Sequence, residues 1–313
     1  MLASGSYSAQ GPSATKQPGA PGASAFASPR TPWGDPDLRG TWPGGSVFAV
    51  PFERDPKLGT QATISDEEAA KRNAQIDAQL AAASGAIFPE LGHAPALTSL
   101  IVEPENGRLP AMTEYGARRA MEWEAMADSD FPAPSAADLR PYDRCITRGV
   151  LGSAFPNVYG SGMEIHQGPG FVVIRHEMVH EARIIPLDRR PHVSPAIQSY
   201  MGDSRGRWEG DTLVVETTNF NGRTGSYARN GDGNPTSTVL RLVERFRLRD
   251  AATLQYEVLV DDPQTWVRPW KVAFPLRRDQ GYVLHEYACH EGNYAIANIL
   301  SAARKAEQAG TAR

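Results

Sequence analysis

Residues 171–186 read FVVIRHEMVHEARIIP, and two local structures compete for them. The run His176-Glu177-Met178-Val179-His180 fits the H-E-x-x-H pattern of zinc hydrolases. That pattern needs a helix, because only a 3.6-residue period brings side chains at i and i+4 around one metal ion. Phe171, Ile174, Met178, Ala182 and Ile185 would form the apolar stripe of such a helix. Against it stand the β-branched Val172, Val173, Ile174, Val179, Ile184 and Ile185, entered through Gly168-Pro169-Gly170. On a strand the two histidines share a face but stand roughly 13 Å apart, too far to bind one zinc ion. Arg183 and Pro186 occupy the positions where a metzincin carries its Gly and third ligand. The strand reading is the stronger. It puts Ile174, His176, Met178, His180 and Ile184 on an inward face, and Arg175, Glu177, Glu181 and Arg183 on a solvated one.

The sequence downstream has the same texture. RGRWEGDTLVVETTNF holds Glu209-Gly210-Asp211 between two β-like runs, a hairpin signal. VLRLVERFRL and LQYEVLV flank Asp250-Ala251-Ala252, and TWVRPWKVAFPL and YVLHEYACH flank Asp279-Gln280-Gly281. Strands joined by short turns with no helix between them make an antiparallel meander. The fold class is therefore mainly β: a meander closed or curled into a lipocalin-like barrel, which removes most sheet edges.

Helices are expected at the two ends. Ser65 and Glu68 form a capping box before EEAAKRNAQIDAQLAAA, which Gly85 would stop, and Thr113 caps TEYGARRAMEWEAMA. NYAIANILSAARKAEQ, about 293–307, is amphipathic, with Ile296, Ile299 and Leu300 on one side. Residues 1–30 are rich in Gly, Ser, Ala and Pro and read as a disordered arm. Residues 31–313 then form one domain, with a helical extension over about 31–150. The arm lacks the apolar core of a secretory signal. The chain is thus either cytoplasmic or a mature form from which a signal was removed, and an arm of this composition favours the periplasmic or secreted case.

Composition narrows the function. The 313 residues are 41% hydrophobic, enough for a sizeable core, and the net charge is -4. Acidic residues outnumber basic ones, 36 to 32, which argues against a nucleic-acid partner needing a basic face. No run of about 18 apolar residues suggests a membrane span. Two cysteines exclude a disulfide-dense scaffold and a four-cysteine zinc site. A homo-oligomer is compatible with all of this.

Several ionisable residues sit among apolar neighbours on the expected strands. His176 and His180 do so on the first, and Glu244 lies on the Leu240, Leu242, Phe246 face. Arg268 falls between Trp266 and Trp270, and His285 shares a face with Tyr287. Inward charge is costly unless paired, so the group suggests either a structural ion pair or a polar-dotted, aromatic-lined pocket. His180, His176, Glu244, His285 and Arg268 are the candidate catalytic residues. Trp266, Trp270, Tyr256 and Tyr287 are the candidate walls for a small aromatic molecule. Glu209 and Asp211 read as turn residues, and Glu291 or Asn293 as caps of the last helix.

The blocks PYDRC, GDSRGRWEGDTLVVETTNFN, ERF, TWVRPW and HEYACHEGNYAIANILSAAR, with TPWGDPDLRGTW at the start, resemble a large bacterial family. It is frequent in acidobacteria and sphingomonads, and many members carry export signals. The likeness spans about 31–305. More loosely, the chain resembles phenylcoumaran γ-formaldehyde lyase-type proteins of lignin-dimer catabolism. That resemblance implies a carbon–carbon lyase working by acid/base chemistry without metal, nucleotide or flavin. The alternatives are a lipocalin-like binding protein for an apolar ligand and a zinc-dependent hydrolase using HEMVH. Because relatives are often exported, Cys145 and Cys289 are expected to pair if the protein reaches an oxidising compartment.

Overall fold

A computed structural model of the chain describes residues 26–82, 92–126, 133–157, 159–225 and 233–310. Most of the expected N-terminal arm and the helix stop at Gly85 lie outside these residues. Residues 26–30 lie within them, and Arg30 forms an ion pair with Asp211 at 2.6 Å.

Among the described residues, ten strands form two antiparallel sheets. One contains β1 (Gly40–Pro43), β3 (Gly162–Gly168), β4 (Phe171–His176) and β5 (Ala182–Pro186), in the order β1-β3-β4-β5. The other contains β2 (Ile101–Glu103), β6 (Asp203–Glu209), β7 (Thr212–Thr218), β8 (Arg241–Asp250), β9 (Thr253–Asp261) and β10 (Trp270–Arg277). Its order is β2-β10-β9-β8-β7-β6. Neither sheet closes on itself, so the molecule is mainly β without a closed barrel. β5 lies beside β6 and β1 beside β10, without a ladder of backbone hydrogen bonds.

The hairpins follow from local chemistry. At the β6–β7 turn Gly210 supplies a left-handed step, with φ 59°. At the β8–β9 turn the Asp250 carboxylate accepts the Ala252 N–H at 2.8 Å. Strict alternation then buries every second residue of β8 to β10. Phe246, Tyr256 and Phe274 stack across three neighbouring strands, with ring centroids 5.0 and 5.2 Å apart. Val172, Ile174, Met163, Ile165 and Ile185 of the smaller sheet join the same core. Burying each such side chain contributes about 1.5–3 kcal/mol.

The helices are α1 (Asp66–Ala82), α2 (Glu114–Ala125), α3 (Gly149–Ala154) and α4 (Ala295–Gln308). Ser65 and Glu68 form the reciprocal cap of α1, and Thr113 caps α2. Among the described residues no helix is long and apolar enough to cross a membrane.

One expected hairpin is absent. β10 ends at Arg277, and YVLHEYACH does not add a strand. Residues 282–289 are held instead by the side-chain contacts and the disulfide described below.

Candidate acid–base site

The HEMVH segment is neither the helix of a zinc hydrolase nor a continuous strand. β4 stops at His176, Met178–His180 make one tight turn, and β5 begins at Ala182. Val179 and His180 are both left-handed, with φ 56° and 43°. That is costly for a β-branched residue and occurs here in a turn closed by two backbone bonds. The His176 N–H donates to the Glu181 carbonyl at 2.8 Å, and the His180 N–H to the Glu177 carbonyl at 3.1 Å.

This turn reverses the parity expected from a continuous strand. Even-numbered residues of β4 face the core, whereas on β5 the odd-numbered Arg183 and Ile185 do. Ile174 pairs with Arg183 in the register, so they share a face. Ile184 is 69% exposed and His180 is also at the surface. The inward positions expected for these two residues are thus corrected, as is the outward position expected for Arg183. The two imidazoles do not converge: His176 points into the core, while His180 Nδ1 lies 3.1 Å from the Tyr287 carbonyl. A zinc ion bound by both is excluded on that geometry.

Arg183 reaches across to the six-stranded sheet. Its two terminal nitrogens meet the Glu244 carboxylate at 2.6 and 2.9 Å, and the Tyr256 hydroxyl donates to the same carboxylate at 3.1 Å. All three side chains are buried. Glu244, expected inward, is therefore neutralised by a forked cation. The Tyr256 hydroxyl is pushed far above the usual phenol range, first by burial and then by the adjacent carboxylate.

His176 is 1% exposed, and neither ring nitrogen has a hydrogen-bond partner among the described residues. Burial, with the Arg183 and Arg148 charges behind it, pushes its pKa down to about 3. The imidazole is therefore uncharged at neutral pH.

A second group, of which the sequence singled out Tyr287 alone as a site residue, lies around Arg148. Arg148, also 1% exposed, precedes α3 and lies under the rings of Tyr142 and Tyr159, 5.1 and 5.9 Å from their centroids. The Tyr142 hydroxyl is 3.5 Å from that of Tyr287. Burial raises Tyr142 above the phenol range; its neighbours Tyr287 and Tyr159 add to this and Arg148 opposes it. Burial likewise lowers Arg148. Glu181 is raised by burial, and its carboxylate accepts the Thr147 hydroxyl at 2.7 Å. Tyr287 was a candidate wall, and Tyr142, within PYDRC, and Glu181, within 171–186, lay in segments that drew notice in the sequence without being assigned to a site. Arg148 follows PYDRC with no periodic pattern to mark it as inward.

Residues 282–289 run over this group. Cys289 is disulfide-bonded to Cys145, with Cα atoms 5.6 Å apart. The Tyr282 hydroxyl donates to Glu177 at 2.5 Å. Gly162 allows this close approach, since a Cβ there would stand 2.8 Å from both Glu177 Oε2 and the Tyr282 ring. Asn293 donates to Cys145 Sγ at 3.0 Å and accepts the Ala295 N–H at the start of α4.

The remaining candidates are dispersed. Trp266 and Trp270 pack edge to face at 5.4 Å, and Trp270 continues to Phe52 and Phe155 in a buried aromatic cluster. They belong to the hydrophobic core. Arg268 is exposed in the turn between these tryptophans rather than on their face, because that segment is a loop and strand alternation does not apply. His285 is exposed for the same reason. Tyr287 of that segment reaches the polar group, through the Tyr142 hydroxyl. The void between the sheets, bounded by Trp42, Ser153, Met163 and Tyr256, measures about 10 Å³, room for about one water.

No protein-family model and no curated protein matches this chain. The functional reading therefore rests on the geometry of these residues and on the sequence blocks quoted above.

Proposed function

We propose that the chain is a cofactor-independent lyase acting on a small phenolic molecule where Tyr142, Tyr159, Tyr287 and Arg148 meet. The observation that carries this reading is a buried guanidinium walled by two tyrosine rings, near an imidazole that burial keeps uncharged. The resemblance to lignin-dimer lyases agrees with it. In the proposed reaction Arg148 holds the substrate phenolate, whose electron pair expels the ether oxygen and leaves a quinone methide. A tyrosine hydroxyl protonates the leaving oxygen. His176 then takes the proton of the primary alcohol, the carbon–carbon bond breaks, and formaldehyde departs. The broken bond's pair becomes the new carbon–carbon double bond, the methide pair returns to the ring and restores the phenolate, and the His176 proton returns to the tyrosine, so no oxidant or reductant is consumed. Access requires the 282–289 segment to move aside.

The disulfide supports an oxidising compartment, periplasmic or extracellular. The adjacent seams β5–β6 and β1–β10 support reading the two sheets as one curled, barrel-like surface. The binding-protein alternative stands second, because the 10 Å³ void leaves no room for an apolar ligand between the sheets.

The test is to incubate the oxidised protein with phenylcoumaran-type lignin dimers and assay released formaldehyde. Turnover that is lost in Arg148→Met supports the lyase. Dimers that bind without releasing formaldehyde favour the binding alternative, and dimers that neither bind nor react overturn both readings.

A further inference from the structure

The outer face of the six-stranded sheet carries an open hollow of about 650 Å³, remote in the fold from the tyrosine group. Its origin is legible in the strands. β8 presents Arg245 and Arg247 outward, spaced by about 6.8 Å along the strand, and Arg249 follows at a bulge before the turn. Across the sheet, Gln255 of β9 pairs with both Arg247 and Pro275 of β10. Next to that row, β10 presents Ala273, also small. Long cations on one side and short residues on the other leave a trough.

A second hollow of about 390 Å³ shares Arg249 and Pro275 with the first and adds Arg277 and Thr253. The guanidiniums of Arg245, Arg247, Arg249 and Arg277 therefore line two hollows that adjoin at Arg249 and Pro275. The nearby carboxylates are mostly engaged, one of them with Arg245 of the trough itself. Glu209 is shared between Arg207 and Arg245, Glu216 takes Arg241, and Glu103 takes Lys271. Asp250 closes its own turn through the Ala252 N–H while also lying in the field of Arg277. Glu257, opposite Arg245, is the remaining acid of the trough. The side chains of Arg247 and Arg249 have no ion-pair or hydrogen-bond partner among the described residues. Placing like charges side by side on a sheet is unfavourable, and an anion between them removes that repulsion.

We propose that this trough is a binding site for a small organic polyanion bearing two or more carboxylate or phosphate groups. Guanidinium forks match those groups in a two-pronged geometry, and the volume lies in the range of small-molecule sites. The flat surface of Ala273 and Pro275 would carry the ligand's carbon skeleton.

The experiment is calorimetric titration of the full, oxidised chain with citrate and with inorganic pyrophosphate, at about 0.15 M salt so that diffuse attraction is screened. Saturable one-to-one binding is expected, weakened about tenfold or more in Arg247→Gln/Arg249→Gln. The melting temperature of that exposed variant should match the parent. Arg39→Gln, which removes a charge paired with Asp37 on another part of the surface, should leave binding unchanged. Binding of citrate alone identifies carboxylates as the ligand chemistry, and binding of pyrophosphate alone identifies phosphates. No saturable binding of either, or equal weakening in Arg39→Gln, overturns the proposal.

Discussion

Arg183 and Glu244 meet as a forked ion pair between the two sheets, each side chain almost wholly buried. Their contact distances of 2.6 and 2.9 Å tie β5 to β8 over 61 residues of sequence. Removing one partner leaves the other charge buried and unpaired. Arg183→Met or Glu244→Gln alone should cost about 3–5 kcal/mol in urea unfolding. The double variant Arg183→Met/Glu244→Gln, which keeps an acceptor for Tyr256, should recover most of that loss. Single variants as mild as surface changes would contradict the buried pair.

His176 should make stability fall with acid. Its pKa is lowered from the ordinary 6.5 to about 3 in the folded protein. The unfolded chain therefore binds a proton below pH 6.5 that the folded chain refuses. The associated stability is complete above pH 6.5 and is lost as pH falls toward 3, at up to about 1.4 kcal/mol per pH unit. His176→Leu should remove that part of the slope. The measurement is the parent-minus-variant difference in unfolding free energy between pH 7 and pH 4, which must shrink on acidification.

Reducing the Cys145–Cys289 bond opens a loop of 144 residues. Chain entropy puts the loss at roughly 4–5 kcal/mol as an upper figure. The melting temperature should drop with reductant, and Cys145→Ala/Cys289→Ala should melt at the reduced value with or without it. Alkylation of denatured, unreduced protein from its native compartment should find no free thiol.

If the polar group at Tyr142 performs the proposed elimination, the two histidines must behave differently. His180→Ala removes an exposed ring and should keep most of the turnover, whereas His176→Gln should lower kcat by about 10²-fold or more. Tyr142→Phe should also reduce kcat while leaving the melting temperature close to that of the parent. Equal activity in all three variants would move the chemistry away from this end of the fold.

The segments legible in advance were those whose signals are local. Glu209-Gly210-Asp211 and Asp250-Ala251-Ala252 are turn sequences between alternating runs, and both became hairpins. Ser65 with Glu68, and Thr113, are caps whose partners lie three residues away. Glu244 was placed inward because its own strand alternates. Its partner was misplaced, because the parity of Arg183 depends on the left-handed turn at Val179 and His180. Arg148 carried no local mark, since a loop residue has no period from which to read a face.

The β character, the hairpin turns and the inward side of β8 to β10 are local properties, because period and turn chemistry act within a few residues. The break at His176 depends instead on contacts far along the chain. There the Glu177 N–H bonds to the Gly162 carbonyl, and Met178 packs where a Cβ on Gly160 would stand. Tertiary structure also decided the path of residues 282–289. Their pattern alternates like a strand, yet the Tyr282–Glu177 bond and the Cys145–Cys289 bond hold them instead. A short segment encodes which residues can share a face. Which distant partner meets that face depends on burial and pairing energies that exist only once the whole chain has closed around it.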